Sequence, residues 1–148
     1  MKIKTQLIEL CQRYADKRVL GYKNEIELIK ESIENNDKVS NEEDDSGNSK
    51  LLDDLEKNMT YLHDANKMRE QLKLVRPNLV SDLAVLGSLI KTDSMTFFIA
   101  LSIGKVEIED AEYYIISLAS PLGQLLKHRK KGDQFKFNEK SYLVEEVL

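Results

Sequence analysis

Between Ile3 and Asn36 the chain has no proline and a single glycine, Gly21. Its apolar positions fall at Leu7, Cys11, Tyr14, Tyr22, Ile26, Ile29 and Ile33. Gaps of three, four and eight put them on one face of an α-helix. Gly21 costs such a helix only about 1 kcal/mol against alanine. A second stripe, Leu52, Leu55, Met59, Leu62, Ala65, Met68, Leu72 and Val75, repeats the period and stops at Arg76-Pro77. A residue before proline is pushed out of the helical region. Asn35 to Ser49 holds one apolar residue, Val39, among Asn, Asp, Glu, Ser and Gly. That composition predicts a turn or frayed helix end, with Asp37 to Lys50 as a loop and Gly47 as a turn position. Two stripes joined in this way predict an antiparallel hairpin in which each helix is the other's partner. At 1.5 Å per residue the helices would be roughly 50 Å and about 40 Å long. Such a hairpin outruns a small domain, so its far end is expected to project into solvent.

From about Leu79 the pattern changes. Leu83 to Lys91, Thr96 to Ser102, Tyr113 to Ser117, Gln134 to Phe137 and Ser141 to Val147 are short runs rich in β-branched and aromatic residues. Ile103-Gly104, Glu109-Asp110 and Lys131-Gly132-Asp133 supply turns between them. Ser120-Pro121 signals one short helix, with serine as N-cap, proline in the first turn, and Leu122, Leu125 and Leu126 on one face. The expected fold class is α+β. Residues 1–78 form a helical hairpin with its acidic tip near 37–50, and residues 79–148 a small antiparallel β domain with one helix.

Composition narrows the function. Charged residues are 32% and hydrophobic residues 41% of the 148, a balance that suits exposed helix more than one dense globule. The formal net charge is -4, which argues against wrapping nucleic acid. Cys11 is the lone cysteine, so neither an internal disulfide nor a multi-thiol metal site can form, and its apolar setting predicts a buried thiol. Met1 to Gln6 lacks the apolar core of a signal peptide, and the longest apolar run, Phe97 to Leu101, is too short for a membrane span. A cytoplasmic location is expected.

Few residues could carry chemistry unaided. Ser120 has no nucleophile elbow around it and no paired histidine, and its N-cap role accounts for it. The glycines are scattered singly, so no phosphate-binding loop exists. His63 reads as helix surface. His128 is one cation in Lys127-His128-Arg129-Lys130-Lys131, a cluster that suits the C-terminal end of the short helix. Phe97, Phe98, Tyr113, Tyr114, Phe135 and Phe137 read as sheet core rather than as platforms for bases. No nucleophile, base and orienting group can be assembled, so a stand-alone enzyme is not expected.

The run Ile115-Ile116-Ser117-Leu118-Ala119-Ser120-Pro121-Leu122-Gly123-Gln124-Leu125-Leu126 leads to Lys131-Gly132-Asp133 and a final strand pair. In order and spacing, residues 83 to 148 resemble the C-terminal domain of the Gre transcript-cleavage factors, and a long helical hairpin before such a domain is the Gre layout. The resemblance implies an FKBP-like β domain that docks on RNA polymerase without isomerase activity. It also implies a coiled coil that enters the secondary channel, and tip acids that reach the catalytic centre. Ser120, Pro121, Lys127, Arg129, Lys130 and Lys131 would then belong to the partner-binding surface.

The resemblance makes Glu42, Glu43, Asp44 and Asp45 the candidate assisting acids. No intrinsic cofactor is implied; the ion concerned is Mg²⁺ in the polymerase active centre, shared through Glu42 and Asp45. A hard cation of this kind is held by one or two carboxylates with waters and phosphates, and a carboxylate pair can complete a two-metal site and orient a water. Glu34 to Asp45 holds six acids and one lysine, a local charge of -5 that repels itself. Cleavage-active Gre tips carry an acid, two residues, then Glu-Asn, whereas this chain has Glu42 and Asp45 followed by Ser46-Gly47-Asn48. The departure leaves open a non-catalytic relative that enters the channel and modulates the polymerase. A module that self-associates through the hairpin is the further alternative. Sequence-specific nucleic-acid and membrane partners are not expected.

Overall fold

The computed structural model describes residues 2–39 and 46–148. The element order is α1 (Lys2–Val39), α2 (Ser46–Leu72), β1 (Leu89–Thr92), β2 (Thr96–Ala100), β3 (Gly104–Ile108), β4 (Ala111–Ser117), α3 (Pro121–Leu126), β5 (Gln134–Phe137) and β6 (Lys140–Val147). The class is α+β, as the two periodicities require. The chain divides into two compact units. One comprises Met1–Gln12 with Gln71–Leu148, the other Arg13–Glu70. The division crosses α1, whose first three turns belong with the sheet.

The second unit is an antiparallel helix pair. Its register follows from side-chain partners whose numbers rise in α2 as they fall in α1. The Asn36 amide donates to Asn48 Oδ1 at 3.2 Å, and Asn48 Nδ2 donates to Asp37 Oδ1 at 2.9 Å. Tyr22 and Tyr61 bring their rings to 5.5 Å, and Arg69 Nε lies 3.0 Å from Asp16. Ala15, Val19, Ile26 and Ile29 of α1 and Ala65 of α2 are buried. The expected stripe is only partly right, because Leu52 and Met59 stay more than half exposed. The polar segment is also more helical than its composition predicts. Asp37 lies inside α1, while Ser46, Gly47 and Asn48 lie inside α2. Side-chain amides bonded across the pair offset poor intrinsic propensity there, which the sequence rules for single helices do not see. Gly47 is therefore a helical residue, and the connecting loop is shorter than Asp37 to Lys50.

The first unit is built on a six-stranded sheet, in the order β3-β4-β2-β1-β6-β5. The sheet is mixed. β2 and β4 run parallel, with Phe98 opposite Ile115, while the other neighbours are antiparallel. The expected wholly antiparallel sheet is corrected by this pair, because β3 intervenes in the chain and returns it to β2's other edge. β3 itself was not predicted: Lys105 and Glu107 alternate with half-buried Val106 and Ile108, a two-sided edge strand with too few apolar residues to signal. The first predicted run shrinks to Leu89–Thr92. Upstream, Ser88 N donates to the Val85 carbonyl and Gly87 sits at φ 89°, a turn that ends the regular ladder although Gly87 N still donates to the Ile99 carbonyl and Ile99 N to that of Ser88.

Glu109-Asp110 and Asn138-Glu139 both carry positive φ at two successive residues, the two-residue hairpin turn whose twist matches the strands. β2 is central and buried on both faces. Phe97 and Ile99 pack with Ile90, Leu126, Phe135, Tyr142 and Val144 under α3. Phe98, which alternates to the other face, is also inaccessible, in the unit to which α1 contributes Leu7, Ile8 and Cys11. Those first turns of α1 thus have a partner besides α2, contrary to the simple hairpin expectation.

Candidate functional site

Glu42, Glu43, Asp44 and Asp45 lie outside the described residues. What the structure describes is the pair of helix ends on either side of them. Val39 is the last residue of α1 and Ser46 the first of α2. Asn48 bonds to both Asn36 and Asp37, so one side chain ties the two helices just below the connection. Among the described residues no group of three or more His, Cys, Asp or Glu could hold a metal ion. The acid run offers oxygen donors only, the set that suits a hard divalent cation.

The second candidate region is α3 and the turn after it. Ser120 is the N-cap at φ −67° and ψ 158°, its Oγ accepting from Gly123 N at 3.0 Å and donating to the Ser117 carbonyl at 2.7 Å. Pro121 follows in the first turn, where its missing N–H costs nothing. Gly123 is required by contact. A Cβ there would stand 2.1 Å from the Ser117 carbonyl oxygen and 2.8 Å from that of Leu118. The Ser-Pro-Leu-Gly string is therefore explained by the fold, as the means of turning the chain from β4 directly into a helix lying against it. Sequence reasoning placed the serine and proline correctly. The close approach at Gly123 is signalled in the sequence only by a small residue at the fourth position of the string.

Lys127, Lys130 and Lys131 are exposed along the segment between α3 and β5. Arg129 is engaged within the fold. Its Nε donates to the Leu125 carbonyl at 2.8 Å, a second nitrogen reaches the Gln134 carbonyl, and the guanidinium lies 5.9 Å from the Phe135 ring centre. Ser120 is similarly occupied by its cap. His128 takes the left-handed conformation, φ 64°, and its N–H donates to the Ala84 carbonyl at 2.7 Å.

The titratable side chains of Cys11 and Lys4 are buried. Burial pushes the Cys11 thiol up to about 12, with a backbone hydrogen bond to Leu101 opposing the shift. It is the inert cysteine that its setting predicted. Lys4 is only 2% exposed and donates to the Leu79 carbonyl at 3.1 Å. Its pKa is lowered by desolvation. Position 4 lies three residues before Leu7, on the inward face that the period of α1 defines, but a lysine there carries no apolar signal. No helix among the described residues is long and apolar enough to cross a membrane.

No family model matches the chain, and no curated protein matches it. Solved structures are similar to it over nearly the whole length. The transcription factor Gfh1 shares 13% identity over 92% of each chain, with a TM-score of 0.41. The GreA factor homolog 1 (Gfh1) protein of Thermus thermophilus shares 15% over 93% of this chain and 94% of that one, with a TM-score of 0.36. Thermus aquaticus Gfh1 shares 17% over 91% and 92%, with a TM-score of 0.35. The structural neighbours of this chain thus include Gfh1 proteins, homologues of the GreA factor.

Proposed function

We propose that this chain is a Gre-type accessory factor of RNA polymerase. The sheet unit docks on the enzyme, and the helix pair carries Glu42, Glu43, Asp44 and Asp45 into the secondary channel to promote cleavage of backtracked RNA. The observation that supports this reading is the register of the helix pair. The same two helices that hold Asn36 and Asp37 against Asn48 are joined by a segment whose sequence is dominated by carboxylates. Exposed Lys127, Lys130 and Lys131 offer a cationic surface on the docking unit, which raises association rate more than affinity. Glu42 and Asp45 are the pair that would take part in holding Mg²⁺ at the polymerase centre. When bound, that ion supplies charge neutralisation and a more acidic water. The carboxylates orient the attacking water as hydrogen-bond acceptors.

A second reading is favoured by the tip sequence itself. After Asp45 the chain continues Ser46-Gly47-Asn48 and lacks the Glu-Asn that follows the first acid in cleavage-active tips. In that reading the factor occupies the same channel and modulates or inhibits the enzyme without supporting hydrolysis. Transcript cleavage in a stalled, backtracked elongation complex decides between them. Cleavage with the native chain, lost in Glu42→Ala/Glu43→Ala/Asp44→Ala/Asp45→Ala, establishes the acids as assisting groups. Competition with an authentic Gre factor without cleavage establishes the modulator. Neither effect would rule out both.

A further inference from the structure

One flank of the helix pair carries a groove of about 670 Å³ that the fold leaves uncovered. Its floor is Ile26 and Leu62. One lip is α1, where Lys23, Glu27 and Lys30 stand four and three residues apart on a single face. The other lip is α2, where Met59, His63 and Asn66 repeat the same spacing. Leu20 closes one end and is 60% exposed, while Met59 is 55% exposed. Beyond Met59 the apolar surface continues along α2 through Leu55 to Leu52. Exposed apolar side chains gathered in one furrow, rather than scattered, mark a recognition surface.

We propose that this groove receives an acidic amphipathic α-helix of the polymerase, its carboxylates paired with Lys23 and Lys30. The inference rests on the polymerase reading above for the identity of the partner. The charge pattern selects the occupant. Lys23 and Lys30 lie seven residues apart, roughly 10 Å along α1. A helix with acids at the same seven-residue spacing meets both, and its apolar residues at intervening threes and fours fall on Ile26, Leu62 and Met59. Glu27, between the two lysines, repels a carboxylate placed midway, which fixes the register of that helix. Glu27 between the two lysines repels a continuous phosphate backbone, and the Ile26 and Leu62 floor between the lips suits apolar side chains instead. A second copy of this chain would have to bring Lys23 and Lys30 against an acidic stripe of its own on the same flank, where the described lining has Glu27 on α1 and Glu56 on α2 but no two acids on one helix.

The test uses the full chain. Lys23→Glu/Lys30→Glu and Leu20→Glu/Met59→Glu alter exposed side chains, and thermal melts confirm that the fold is kept. Each is expected to weaken binding to core polymerase about tenfold. Unchanged binding by both overturns the proposal, as does a stable dimer of the native chain that Leu20→Glu/Met59→Glu dissolves. Failure of the native chain to bind polymerase is a failure of the polymerase reading and is visible without any variant. A polymerase-independent arm then decides the groove. The labelled chain is titrated with a synthetic helical peptide bearing glutamates seven residues apart and leucines between them, and with its lysine counterpart. Tighter binding of the glutamate peptide, with shifts at Leu20, Met59 and Leu62 that Lys23→Glu/Lys30→Glu removes, supports the groove. Equal binding of the two peptides, or none, overturns it.

Discussion

At Gly123 a single hydrogen separates a tight turn from a collision, since any Cβ would meet the Ser117 and Leu118 carbonyl oxygens. Backbone atoms cannot step aside as a long side chain can. Gly123→Ala is therefore expected to cost about 3 kcal/mol, measured by urea unfolding. Ser120→Ala, which removes only the cap, costs about 1 kcal/mol in the same assay. Cys11 sets a different expectation. Held neutral up to about 12 when folded against 9.0 as its ordinary value, it is unreactive toward a thiol reagent at pH 8 until the chain is denatured. Between those two values the unfolded chain has lost the thiol proton and the folded chain has kept it. The unfolded state then binds fewer protons, so stability falls as pH rises through the window. Lys4 works in the opposite sense. Its folded pKa is lowered, so the unfolded chain binds more protons just below 10.5, and stability there rises with pH. Cys11→Ala is expected to lose less stability than the native chain between pH 9 and 11, as read by urea melts at each pH.

At the scale of elements, the two hairpin turns of the sheet are built from residues that are not glycine. Glu109, Asp110, Asn138 and Glu139 all hold φ between 51° and 67°. The left-handed region is costly for a glutamate and free for a glycine. Glu139→Gly, at the β5–β6 turn, is expected to stabilise the chain by about 1 kcal/mol in chemical unfolding, with an unchanged denaturant slope. The helix pair shows the complementary case. Its polar ends hold together through Asn48, Asn36 and Asp37, groups that on a single helix lower stability. The helical period in the sequence located α1 and α2 but not their last turns, because the bonds that finish them run between helices.

For the whole molecule, the docking reading makes a charge-based expectation. Lys127→Glu/Lys130→Glu/Lys131→Glu changes three exposed cations between α3 and β5 and leaves Arg129 to its internal bonds. It is expected to slow association with core polymerase about tenfold at low salt, with a smaller effect at high salt, as stopped-flow binding would register. Arg129→Ala should act differently, lowering stability through the lost carbonyl bonds and the stack on Phe135, with little change in salt dependence.

The sequence by itself determined the two long helices, the position of the acid run between them, the short capped helix at Ser120, and five of the six strands. Each of these is a local pattern: a period of 3.6, a period of 2, or a cap beside a proline. Tertiary structure alone decided what depended on residues far apart in the chain. The parallel pairing of β2 with β4 needed the edge strand β3, whose alternation of Lys105 and Glu107 with Val106 and Ile108 carries only two apolar residues. The division of α1 between two units needed the sheet face that receives Leu7 and Cys11. The uncovered groove needed the packing itself. Leu52 and Met59 share the period of the buried stripe, yet two cylinders in contact bury only the line between them, and the residues on the shoulder of that line stay open to a partner.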